Sequence, residues 1–97
     1  MPTYVTLLSF TQQGIQNIKD GPARLDKAKA AIKAAGGEMK AFYLTMGRYD
    51  AVTISEAPSD EAYATTLLAL ASAGAVRTET LRAFTEDEYR KIIAALP

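Results

Sequence analysis

The sequence predicts an α+β fold: a four-stranded antiparallel sheet in the order β-α-β-β-α-β, with an additional C-terminal helix. Three observations lead there. Two apolar, β-branched stretches lie only Gly47-Arg48 apart, close enough to form a hairpin. Each of two helical stretches lies between one strand and the next, and glycine follows both. A strand opens the chain, and another runs near its end, from Ala75 to Phe84.

Each element has its own local signal. Thr3–Phe10, TYVTLLSF, is β-branched and aromatic, which suits a strand. The segment IQNIKDGP then reads as an irregular helical turn, with Pro22 placed for the first turn of a helix. From Ala23 to Ala35 the residues Leu25, Ala28, Ile32 and Ala35 recur at helical spacing, and Gly36-Gly37 ends the pattern. Those glycines follow a helix rather than precede one, so they make a cap and not a phosphate loop. Glu38–Met46 and Tyr49–Glu56 read as the hairpin strands. Ser59 then caps a helix whose apolar stripe is expected at Ala64, Leu67, Leu68 and Ala71, with Gly74 closing it. Thr85-Glu86-Asp87-Glu88 has the form of a capping box and starts a last helix with Tyr89, Ile92, Ile93 and Leu96 on one side. Two crossovers sharing a central hairpin make the ferredoxin-like split arrangement, and right-handed connections put both main helices on one face.

Composition narrows the chemistry. At 97 residues the chain is expected to be one domain, spanning 1–97, with a small core that favours self-association. Eleven basic residues balance eleven acidic ones, so no basic footprint for nucleic acid is present. There is no cysteine, hence no disulfide and no thiol nucleophile. The lack of histidine removes the commonest general base and the usual zinc and haem ligands, so no cofactor and no metal are expected. No stretch resembles a signal peptide or a membrane span, and a cytoplasmic protein is the simplest expectation.

Alternation along the strands marks a candidate site. If Val52 and Ile54 meet the helices, then Tyr49, Ala51, Thr53 and Ser55 face away from them. Phe42 and Leu44 suit the helix side, which leaves Ala41, Tyr43 and Thr45 outward, joined by Thr78, Thr80, Arg82 and Phe84 of the last strand. Such a face is too apolar for plain surface and too polar for plain core. A second sheet packed against it, with a wet cavity between, explains both properties. Tyr43, Tyr49, Thr53, Thr80 and Arg82 are the expected ligand-binding residues. Within Gly47-Arg48-Tyr49-Asp50, Asp50 and Tyr49 are also candidate proton acceptor and donor, although a turn-forming role for Asp50 is the plainer reading. Arg77 and Glu79 of RTETLR belong either to a polar pocket or to a surface pair.

The stretch YLTMGRYDAVTISEAP, with YVTLLSFTQQGIQNIKDGPAR, GGEMKAFYLTMGRYD and RTETLRAFT, resembles the GYD family of small bacterial and archaeal domains. Its Gly-Tyr-Asp signature stands here as Gly47, Tyr49 and Asp50, with Arg48 inserted. The resemblance implies a dimeric α+β barrel, in which two sheets face each other around a central cavity. It implies no particular activity. Three readings follow: a homodimeric or larger small-molecule-binding module, a cofactor-independent isomerase or monooxygenase using Asp50, Tyr49 and Arg82, or a face wholly consumed by subunit packing. The expected partners are the chain itself and a small ligand, with neither nucleic acid nor membrane.

Overall fold

A computed structural model describes residues 1–97. Its strands are β1 Thr3–Phe10, β2 Glu38–Leu44, β3 Ala51–Glu56 and β4 Val76–Ala83. The irregular turn after β1 resolves into a five-residue helix, α1 Gln12–Gln16, and a 3-10 turn, Ile18–Asp20. The main helices are α2 Gly21–Ala34 and α3 Asp60–Ala71, and α4 Glu86–Ala94 closes the chain. The sheet runs β2-β3-β1-β4 with every neighbouring pair antiparallel, which is the ferredoxin-like α+β arrangement. No helix is long and apolar enough to cross a membrane.

The helix ends are set by the residues that signal them. Ser59 Oγ accepts the Ala62 amide at 3.1 Å and starts α3. At α4, Thr85 Oγ1 accepts the Glu88 amide at 3.2 Å while the Glu88 carboxylate accepts the Thr85 amide at 2.9 Å. That second bond draws the Glu88 carboxyl below its ordinary range, because the ionised form is the better acceptor. Gly47 turns the β2–β3 hairpin with φ +116°, in open space, so its requirement is conformational.

The register decides which residues share a face, and it reverses part of the expected pattern. Opposite Tyr4, Thr6 and Leu8 of β1 stand Ser55, Thr53 and Ala51 of β3 and Arg82, Thr80 and Thr78 of β4. Tyr4 and Thr6 touch Tyr63 of α3, so this whole set lies on the helix side. Val52 and Ile54, expected under the helices, face the other way, level with Leu7, Val5, Tyr43 and Ala41. The placement of Phe42 and Leu44 on the helix side agrees with expectation, since they sit opposite Thr53 and Ala51.

The cause is the bulk delivered from above. Tyr63 stacks on Tyr4 with ring centroids 4.4 Å apart, and Tyr4, Ile32, Ala57 and Tyr63 form the buried core with Met39 and Leu67 against it. Two tyrosine rings fill the layer, so the sheet beneath them needs small residues such as Thr6, Thr53 and Ser55. The same demand corrects α3. Tyr63 and Thr66 are its buried residues, with Leu67 packed beside them, whereas Leu68 of the expected stripe is 72% exposed.

Two surfaces are left without cover. One is the open sheet face, carrying Val5, Leu7, Val52, Ile54 and the half-exposed Leu81. The other is α4, which makes at most marginal contact with the rest of its own chain. Its Tyr89, Ile92, Ile93 and Leu96 are 47–63% exposed.

Candidate functional site

The GRYD hairpin is tied down by hydrogen bonds from three directions. Asp50 Oδ2 accepts the Phe10 amide at 2.8 Å, and the Asp50 amide donates to Leu8 O at 2.8 Å. The Asp50 carbonyl accepts the Thr45 amide, while Thr45 Oγ1 donates to Tyr49 O at 2.7 Å. Asp50 thereby joins the hairpin to the last residue of β1, beyond the end of the regular β1–β3 ladder. A carboxylate there replaces the strand carbonyl that Phe10 would otherwise lack.

Tyr49 reaches across to β4, where its hydroxyl donates to Glu79 Oε2 at 2.6 Å. This bond, which only the neutral phenol can donate, raises the Tyr49 pKa above its ordinary value. Tyr49 and Glu79 share a shallow polar cleft of about 280 Å³ with Leu7, Ser9 and Arg77. Glu79 bonds Tyr49, so the Arg77–Glu79 surface pair expected as the plainer reading does not form. Tyr43, 59% exposed, stands on the same open face, opposite Val52.

The other expected ligand residues lie elsewhere. Thr53 is only 4% exposed and sits under the helices opposite Thr6. Thr80 Oγ1 is 3.1 Å from Thr6 Oγ1, which is 2.7 Å from Tyr63 Oη, a chain of three hydroxyls. Arg82 lies over the Phe84 ring at 4.5 Å and the Tyr4 ring at 5.8 Å, with Nε 3.9 Å from Asp60 Oδ1. It also donates to Ala83 O. Asp50 and Arg82 are therefore separated by the length of β1, roughly 20 Å for six residues. The expected trio of Asp50, Tyr49 and Arg82 does not converge on one point.

A polar group that the sequence does not announce meets the buried Tyr4 at the surface. The Tyr4 hydroxyl donates to Asp60 Oδ1 at 2.5 Å. Burial first, and the Asp60 bond second, push the Tyr4 pKa up to about 12. Nothing in the spacing of Tyr4 and Asp60 announces the pair, which is 56 residues apart in sequence. The one available signal was Tyr63, a lone aromatic in an Ala/Leu helix, which needs a polar partner once buried. No group of three or more carboxylates stands together as a metal site would require.

Residues 4–93 match the GYD domain family. The chain belongs to it. A curated relative, 33% identical over 84 residues, is the glutamine synthetase and cystathionine beta-lyase binding protein of Thermus thermophilus. That alignment covers 86% of this GYD chain and 88% of the relative. Among solved structures, a feast or famine regulatory protein of M. tuberculosis complexed with L-methionine aligns with a TM-score of 0.63 at 20% identity. The leucine response regulatory protein LrpA of Mycobacterium tuberculosis aligns at 0.62 and 21%. The GYD chain is covered to 90% and 89% in these matches but spans only 54% of either regulator. A crystal structure of a Thermus thermophilus protein aligns at 0.56 and 24%, over 88% of this chain and 95% of that one. These structural likenesses establish the ferredoxin-like fold.

Proposed function

We propose that this GYD domain is a self-pairing small-molecule-binding module in which two copies meet through their open sheet faces. The observation that carries the reading is the apolar character of that face. Val5, Leu7, Val52, Ile54 and Leu81 stand on a sheet that one chain covers on the opposite side only. β-branched residues are wasted on a solvated face but suit a sheet packed against another sheet about 10 Å away. Tyr43 and Tyr49 rim this surface and are the residues of the expected ligand set that remain to line a space between the copies. The α4 stripe supports the same reading, because nine helical residues with so little tertiary contact are too few to be stable alone.

Sedimentation velocity at micromolar concentration tests the pairing. The wild-type chain is expected to run as a dimer or larger, and Val52→Asp as a folded monomer. A monomeric wild type sinks the reading. The Thermus relative's name supports a second reading, docking to an enzyme, and the hairpin tip offers a surface for it: Met46 is 99% and Leu44 71% exposed. Surface plasmon resonance against purified glutamine synthetase separates the two, since Met46→Lys weakens only enzyme docking.

A further inference from the structure

The layer between helices and sheet is closed at one end and hollow at the other. Toward the end of β1 that holds Leu8 and Phe10, α2 and α3 stand over a cavity of about 460 Å³ with a mostly apolar lining. Small residues, Ala28 on α2 and Ala69 and Ala73 on the α3 side, leave room between larger ones such as Leu25, Phe42 and Leu70. The space is a cleft open on one side, and its volume falls within the range of ligand pockets.

Two observations say what such a space would hold. Thr53 lines it at 4% exposure, and its hydroxyl has no hydrogen-bond partner in the chain. Arg24 and Lys27 of α2 also line it, and neither is paired with a carboxylate. The Arg24 guanidinium is steered by the carbonyls of Asn17 at 3.0 Å and Gly14 at 3.4 Å, which position its charge without neutralising it. An apolar chamber with one inner hydroxyl and two unpaired cations matches an amphipathic anion.

We propose that this helix-side cavity binds an apolar carboxylate, its chain lying between Ala28, Ala69 and Phe42 and its carboxylate meeting Arg24 and Lys27. The site shares no residue with the open sheet face, so it stands apart from the pairing described above. Carboxylate recognition comes from charge-assisted hydrogen bonds, and the chain is held by the apolar area it removes from water.

Titration of the full chain with decanoate and with 1-decanol, followed by amide NMR and calorimetry, tests the site. Decanoate is expected to saturate at one molecule per chain, moving the amides of Ala28, Ala69 and Thr53. Decanol and the Lys27→Gln variant should each lower affinity on the order of tenfold, the worth of a contact to a charged group. Ala28→Phe fills the space and should abolish binding, while Val52→Asp should bind as the wild type does, even as a monomer. Equal affinity for decanoate and decanol overturns the carboxylate assignment. Shifts on Val5 and Val52 in place of Ala28, or contacts from Ile92 of a second copy in the free protein's cavity, overturn the site itself.

Discussion

The two ends of the helix–sheet layer are built from the same elements and packed in opposite ways. At the Tyr4 end, two stacked tyrosines, Ile32 and Ala57 are all 2–3% exposed; the hydroxyls of Tyr63, Thr6 and Thr80 form a hydrogen-bonded chain there, while the buried Ser55 Oγ opposite Tyr4 has no partner. At the Phe10 end, Leu25, Ala28, Leu70 and Ala73 surround open volume. The difference lies in how many of the α2 and α3 side chains are alanines and in the tyrosine ring that α3 delivers at one end only. Ile32 and Tyr63 pack into the buried cluster, while at the other end Leu25 and Leu70 alternate with alanines around an open cleft. One end thus supplies the stability that lets the other stay hollow.

The largest break in this contrast comes from Tyr63→Ala. It removes the stacked ring and leaves the buried Thr6 hydroxyl one partner short, so a loss of about 3–5 kcal/mol is expected in urea unfolding. A loss below about 1 kcal/mol would mean that the Tyr4 end is not the anchor. High pH attacks the same end. The Tyr4 pKa is raised in the folded chain, so the unfolded chain gives up this proton first. The contribution is therefore fully present below about pH 10 and fades as pH rises toward about 12. Tyr4→Phe should flatten that part of the alkaline decline in unfolding midpoint.

Ala28→Phe at the hollow end sharpens the comparison with the opposite sign. Filling the cavity is expected to stabilise the chain by about 0.5–2 kcal/mol, read from the same urea curves. Thr85→Ala is the smallest. Loss of the capping box weakens α4 locally by about 1 kcal/mol, seen as faster amide exchange in Glu86–Ala94. Global unfolding of the Val52→Asp monomer should hardly change, because α4 is barely packed on its own chain.

Much of the fold was legible in local residues. Ser59, Thr85 with Glu88, and Gly36 mark helix boundaries because caps act over three or four residues. Gly47-Arg48 marks the hairpin for a similar reason, and the β2–β3 register follows from it between Leu44–Ala51 and Ala41–Ile54, before an irregularity at Met39 shifts it by one. The site was less legible. Alternation puts Tyr43 and Tyr49 on the open face and Thr53, Thr80 and Arg82 with them, but these three stand on the helix side, Thr53 buried and Thr80 and Arg82 exposed on the edge strand. Apolarity does not mark the inner face here. In this sheet both faces carry apolar residues, and the face under the tyrosines is the more polar one.

By itself, then, the sequence determined the order of elements, their caps, the antiparallel pairing and the absence of histidine and cysteine chemistry. These depend on near neighbours and on residue type. Only the tertiary structure decided which face of β3 meets the helices, because alternation defines two faces without naming the inner one. It also decided the Tyr4–Asp60 and Tyr49–Glu79 bonds, which join residues 56 and 30 positions apart. The cavity beside Thr53 belongs to the same class. It exists in the spacing between two helices and a sheet, and no single segment of the chain encodes that spacing.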